Sequence, residues 1–240
     1  MATVSRATGS GRRRRRLRQL TRRVLSPRWW YLLQGKTAPI SVRAGTDRGV
    51  PVDRHFIEGF LRDHGSDIQG TVLDVKDSLY TKRYGGDRVR KSDVLDVNRA
   101  NSEATVFSDI RDLKEIADDT YDCFIVTQVL QYVDDVPAAI QACRRILKPG
   151  GVLLVTVPTL GKLDGQEDGV AGHFWRFTPD SARYLFEKHF PPERLEIQGW
   201  GNLLLATSLL QGLAVDEIAP HKRNHYDPLF TCGVTIRAQK

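Results

Sequence analysis

Residues 121–157 read YDCFIVTQVLQYVDDVPAAIQACRRILKPGGVLLVTV. Two apolar runs, Tyr121 to Thr127 and Val152 to Val157, flank a stretch with a different period. Between them, Pro137 to Leu147 sets Ile140, Cys143, Ile146 and Leu147 on one side of a helix. Lys148-Pro149-Gly150-Gly151 then breaks it, because proline lacks the helical N–H donor and glycine favours turns. Strand, helix, turn and strand together make the crossover unit of a parallel sheet covered on both faces.

The same alternation extends in both directions. Towards the N-terminus, Phe56, Ile57, Phe60 and Leu61 share one face of a helix predicted over 53–64. Thr71 to Val75 (TVLDV), Arg88 to Asp93 (RVRKSD) and Ala104 to Asp109 (ATVFSD) are strand candidates, each with an acid at or near its end. Leu113 to Ile116 is a short turn or helix. Towards the C-terminus, Thr178 suits an N-cap with Pro179 at the first helical position, opening a helix that continues through 182–189. Arg194 to Gln198 and Val234 to Ala238 add two strands. The expectation is an α/β fold: a doubly wound, seven-stranded, mostly parallel sheet of Rossmann-like type, its last strands antiparallel. Ligands of such sheets bind at the carboxyl ends of the strands. Asp74, Asp93, Asp109 and Gln128 fall there, with Asp96 the competing acid if the second strand runs further.

Charge divides the chain. It carries 36 basic and 29 acidic residues, a net charge of +7. Residues 1–46 contain twelve of the basic residues and no acid, so the remainder is net −5. We therefore read residues 1–46 as a basic, partly disordered arm and 47–240 as the folded domain. Arg12 to Arg16 repel one another and favour a solvated chain. Leu17, Leu20, Val24 and Leu25 then recur at helical spacing among arginines, and Trp29, Trp30 and Tyr31 follow Pro27. A basic amphipathic stretch beside tryptophans suits an anionic membrane surface, reached through residues 1–36. An arginine-rich, acid-free start also resembles an organelle transit peptide and lacks the apolar core of a secretory signal. A nucleic-acid partner is not expected, since the high overall pI of 9.4 belongs to the arm. No apolar run approaches the ~20 residues of a membrane span. The expected location is cytoplasmic or peripheral on a membrane. Cys123, Cys143 and Cys232 are widely spaced, and no metal site is read from them or from His189, His221 and His225. No P-loop, GxSxG or HExxH motif is present, which leaves kinase and hydrolase chemistry without support.

From about residue 70 to 190 the chain resembles the class I S-adenosylmethionine (SAM)-dependent methyltransferases. The 121–157 segment carries the likeness most strongly. HFWRFTPDSARYLFEKHF (173–190), YTKRYGGDRV (80–89) and HYDPLF…VTIRA (225–238) resemble a bacterial subgroup that accompanies polysaccharide and glycosyltransferase genes. One stretch departs from the family. Its first strand leads into an acid-x-Gly-x-Gly-x-Gly loop, whereas this chain has Asp74-Val75-Lys76-Asp77-Ser78-Leu79-Tyr80. Lys76, Ser78 and Tyr80 occupy the glycine positions.

The resemblance implies SAM as cofactor, with Asp74 near its methionine end and Asp93 accepting from both ribose hydroxyls. Asp109 would meet the adenine amino group, Ile110 would pack on the ring, and Gln128 would line the other side. His173 is the candidate general base, Arg176 a candidate for an acceptor phosphate or carboxylate, and Trp175 with Phe177 a stacking wall for a sugar. The expected function is O-methylation of a small-molecule or glycan acceptor. The alternatives are a methyltransferase-fold protein without SAM turnover, serving as a scaffold in glycan assembly, and a repurposed non-methylating enzyme. The sequence does not fix the oligomeric state.

Overall fold

The strands form in the order the periodicity predicts, because each has an apolar face to bury. In the computed structural model, residues 37–163 and 172–240 are described. The arm of residues 1–36, with its expected membrane role, lies outside them. Residues 40–240 form one compact unit. The charge boundary at 46/47 therefore falls inside that unit: Ser41 is buried and its N–H donates to the Gln211 carbonyl at 3.0 Å.

Helix α1 (Val52–Asp63) precedes β1 (Gly70–Val75), β2 (Val89–Asp96), the two-residue β3 (Val106–Phe107) and β4 (Tyr121–Thr127). Then come α2 (Val136–Ile146), β5 (Leu147–Pro158), α3 (Pro179–Phe186), β6 (Leu195–Trp200), α4 (Leu203–Gln211), the single turn α5 (Pro220–Arg223) and β7 (Gly233–Gln239). The seven strands lie in the order β3-β2-β1-β4-β5-β7-β6. Pairs among β1 to β5 are parallel, and β7 runs antiparallel to both β5 and β6. Hence β6 points the same way as β1 to β5. Of the two last strands expected to reverse, only β7 does.

Alternation along the strands builds two cores. Leu73, Phe124, Leu153 and Val155 face the larger one, with Ile140 and Ile146 of α2 and Phe186 of α3. Their neighbours Val72, Cys123, Ile125 and Leu154 face the smaller one, against Ile57 and Leu61 of α1. All three cysteines are free and buried. A third cluster joins Val52, Trp200 and Leu205, with Phe56 stacked on Trp200 at 4.3 Å between ring centroids. Gly70 opens β1 at φ +69°, where an added Cβ would collide with the Asp122 carboxylate.

Helix α3 begins where its sequence says. The Thr178 hydroxyl accepts from Ser181 N–H at 3.1 Å, and Ser181 Oγ accepts from Thr178 N–H at 2.9 Å. Thr178→Ala removes one arm of this box and is expected to lower unfolding free energy by about 1 kcal/mol in urea denaturation, with an unchanged slope.

Candidate cofactor and acceptor site

β1 pairs with β2 on one side and β4 on the other. The chain therefore leaves β1 in one direction and later crosses to the opposite side. A crevice opens at the carboxyl ends of strands where such a reversal occurs. Both strands at the reversal end in a left-handed residue, Lys76 at φ +74° and Gln128 at φ +55°. A non-glycine residue pays about 1–2 kcal/mol for that conformation, so surrounding bonds must hold it. Lys76 N–H donates to the Leu95 carbonyl at 2.9 Å, and the Lys76 carbonyl accepts from Asn101 Nδ2 at 2.7 Å. Gln128 N–H donates to the Thr156 carbonyl at 2.9 Å. The glycine-poor loop thus keeps a glycine-type turn at its first position, and the Lys76 side chain is exposed.

Asp74 lies beneath this turn, buried to 2% exposure. One carboxylate oxygen accepts from Val75 N–H at 2.9 Å, the other from Thr81 N–H at 3.2 Å and Thr81 Oγ1 at 3.1 Å. The acid therefore closes the loop onto the strand. Burial raises its pKa to about 7, against the pull of those donors.

Strand β2 outruns its predicted end by three residues. Val94 and Leu95 are buried and keep pairing with Asp74 and Val75. Asp93 consequently sits in mid-strand opposite Leu73, not at a tip. It is buried, with Lys91 Nζ at 2.7 Å, Tyr121 Oη at 3.1 Å and Thr105 Oγ1 at 3.2 Å. These bonds make it a tie across the sheet, and the Tyr121 hydroxyl is pushed well above its usual pKa by burial and by this carboxylate. Asp96 takes the tip instead. Its oxygens accept from Asn98 N–H at 2.8 Å and from Asn101 Nδ2 at 2.7 Å. The same Asn101 amide holds Lys76, so the β1 and β2 tips are joined through one side chain.

Asp109 lies two residues beyond β3. It is half-exposed and gripped by Arg111, whose Nη2 donates at 2.6 Å while Nη1 donates to Asp134 at 3.0 Å. The guanidinium holds the Asp109 carboxyl below its usual range. Ile110 is 8% exposed and belongs to the larger core. Most of its surface is therefore already covered.

The segment 172–177 is sewn between the ends of β4 and β5. Phe174 and Trp175 N–H groups donate to the Gln131 carbonyl at 2.8 and 3.2 Å, and Phe177 N–H donates to the Pro158 carbonyl at 2.9 Å. Trp175 Nε1 donates to the Val133 carbonyl at 2.7 Å, which pins the indole while leaving it 44% exposed. Phe177 is 3% exposed and packs in the core, so it forms no stacking wall. Arg176 binds its own loop: Nη2 donates to the Lys162 carbonyl at 3.0 Å and the Gly161 carbonyl at 3.2 Å. Its Nη1 meets His173 Nε2, and the His173 ring lies 4.7 Å from that of Tyr132. Since a guanidinium only donates, His173 Nε2 is the acceptor.

One site residue went unread in the sequence. Gln131, 3% exposed, donates from Nε2 to the Gln128 carbonyl at 2.9 Å, and its own carbonyl carries the 174–175 backbone. Its Oε1 is buried without a hydrogen-bond partner. Nothing in a VLQYV pattern distinguishes such a glutamine from a surface residue.

Residues 70–155, from β1 into β5, match the family described as methyltransferase domain. Over these residues the chain is similar to a methyltransferase domain. A ubiquinone/menaquinone biosynthesis C-methyltransferase of Pasteurella multocida is 35% identical over 103 residues, covering 42% of this chain and 34% of that protein. Its counterpart from Serratia proteamaculans is 29% identical over 154 residues, covering 58% of this chain and 57% of that protein. The chain thus aligns with between a third and somewhat over half of these relatives' length. A SAM-dependent methyltransferase from Archaeoglobus fulgidus shares the fold, with a TM-score of 0.53 at 15% identity over 78% of this chain and 94% of that one.

The Asp74 carboxyl sets a pH dependence for the domain. An unfolded chain releases that proton near the ordinary value of 3.8, and the folded one near 7. The folded state therefore holds more protons in this window, and stability contributed at Asp74 falls as pH rises from about 4 to 7, then levels. Urea melts of wild type and Asp74→Asn are expected to diverge across that window by a few kcal/mol to the wild type's disadvantage. A difference independent of pH would show that the buried acid does not titrate there.

Proposed function

We propose that this domain transfers a methyl group from S-adenosylmethionine to a small-molecule acceptor. The observation that carries the reading is the crevice at the β1/β4 reversal, flanked by two left-handed strand ends and the tip carboxylate of Asp96. The residues present fit the cofactor. Asp96 keeps lone pairs beyond the two it uses, and a carboxylate with two oxygens suits a ribose diol. Asp96 thus takes the part the resemblance gave to Asp93. Asp109 and the loop after Lys76 flank the same strand ends. SAM, when bound, supplies an electrophilic methyl group on a sulfonium.

The chain's own work is then positioning and exclusion of water. Gln131 fixes the segment 172–177 to the end of β4, and Arg176 fixes it to the end of β5. Trp175 presents a pinned aromatic surface beside them. The acceptor atom is the finer question. The C-methyltransferase relatives support a carbon nucleophile. An oxygen of a small molecule or glycan remains the reading of the 173–190 likeness, and it calls on His173 as base. For that role Nε2 must first be released by Arg176, which makes His173→Ala informative: lost turnover with unchanged cofactor affinity is the outcome an oxygen acceptor requires.

A second reading is favoured by Lys76. A cation at the first glycine position opposes a sulfonium, since like charges ~4 Å apart at an effective dielectric near 20 cost about 4 kcal/mol. A domain that had lost SAM turnover and acts as a scaffold would carry such a residue. Calorimetry with S-adenosylmethionine and S-adenosylhomocysteine separates the readings. Wild type is expected to bind both in the micromolar range, and Asp96→Ala to weaken binding at least about tenfold, the loss of roughly one charge-assisted hydrogen-bond pair. Lys76→Gly is expected to tighten SAM more than its uncharged product. No binding by wild type together with binding by Lys76→Gly is the signature of the scaffold.

A further inference from the structure

The geometry points to α4 and the segment 220–230 as a docking surface for an anionic lipid bilayer. This inference stands whether or not the domain turns SAM over.

Helix α4 reads LLLATSLLQ and carries no charge. It buries Leu205, Ala206 and Ser208 and turns Leu203, Thr207 and Leu210 outward, a stripe at i, i+4 and i+7. Leu203 and Leu210 are each 54% exposed, and Leu204 is 41% exposed. A solvent-facing helix stripe in a water-soluble domain is ordinarily polar. Leucines there mark a surface that meets something apolar.

The apolar surface continues past the helix. Asn202 is buried and holds the junction: its Oδ1 caps Leu205 N–H at 3.1 Å, and its Nδ2 donates to the Lys222 carbonyl at 2.9 Å and the His225 carbonyl at 2.7 Å. This staples the 220–225 turn against the start of α4. Leu203 and Leu204 thereby share an open hollow of about 430 Å³ with His221, Lys222 and His225. Asp227, also on its wall, is occupied in capping Leu229 N–H at 3.0 Å. Beyond it Leu229 is 85% and Phe230 40% exposed. Leucines and an aromatic ring beside a lysine and two histidines suit a headgroup region, where apolar side chains enter the acyl boundary and cations meet lipid phosphate.

The occupant is a bilayer rather than a second copy of the chain for a reason of charge. The other end of α4 lies at the root of the arm: Ser41 N–H donates to the Gln211 carbonyl at 3.0 Å. Next to it Ile40 is 49% and Val42 67% exposed. From here the sequence leads back into residues 1–36, with eleven basic residues and no acid. A second copy carries the same basic residues and is not complementary to them. An anionic surface is complementary to them. Because β6 ends at the same sheet edge as β1 and β4, a membrane met by α4 also lies on the crevice side of the sheet.

The test uses the full chain with unilamellar vesicles, either pure phosphatidylcholine or phosphatidylcholine mixed with phosphatidylglycerol. Wild type is expected to co-sediment with the mixed vesicles and to stay in solution with the neutral ones. Leu203→Ser/Leu210→Ser is expected to weaken that binding at least about tenfold while the thermal melt is unchanged, since both side chains stand outside the core. Leu203→Phe/Leu210→Phe is expected to retain it. Three results overturn the proposal. One is undiminished binding by the serine variant, which would assign the membrane to the arm alone. Another is no binding by wild type. The third is a wild-type dimer in sedimentation velocity that the serine variant dissolves without any vesicle binding.

Discussion

The structure depends on β1 being paired in parallel on both sides. Leu73 stands between Asp93 of β2 and Phe124 of β4. A strand so placed has no free edge, and both of its faces must be apolar. Val72 and Leu73 meet that demand by feeding opposite cores. Everything at the crevice follows from the pairing, because β2 and β4 can be reached from β1 only by crossovers in opposite directions. The ends of β1 and β4 are thereby left without a covering connection, and their tips converge.

That placement burdens the tip residues. The loop after β1 must turn away from the sheet at once, and this chain does so with a lysine in a left-handed conformation. Three hydrogen bonds to Asp74 and one to Leu95 hold the turn, and Asn101 links it to Asp96. The buried acid thus holds a loop that carries side chains where the family's motif has glycines. The loop that lost its permissive residues keeps its path through bonds to a carboxylate that the fold has taken out of water.

At the other end of the sheet, β7 runs antiparallel between two strands that point the other way. Its sequence neighbours on the N-terminal side, residues 201–232, must therefore bridge from the end of β6 back to the same edge. They form α4 and the turns after it rather than a tight hairpin. This bridge puts a leucine-rich helix on the crevice side of the sheet and joins it, through Ser41 and Gln211, to the start of the domain.

The repeating part of the fold was legible in the sequence. Residues 121–157 specified strand, helix and strand, and Thr178 with Pro179 marked the start of α3. Period and turn chemistry are local, so a single sequence contains them. Helix α4 passed unread, although Asn202 three residues before Leu205 and Gly212 after Gln211 were usable start and stop signals. Among site residues, the tertiary structure decided roles that spacing could not. Asp93 became an internal tie because Val94 and Leu95 found partners and carried β2 three residues further. Asp96 became the tip. Arg176 and Phe177 were drawn into the loop and the core, and Gln131 emerged as the residue whose backbone carbonyl ties their segment to the end of β4. The sequence by itself determined which segments could be buried on which face. Which acid stands at a strand end was left to pairing, because a strand stops where its neighbour ceases to offer hydrogen bonds, and that neighbour lies far away along the chain.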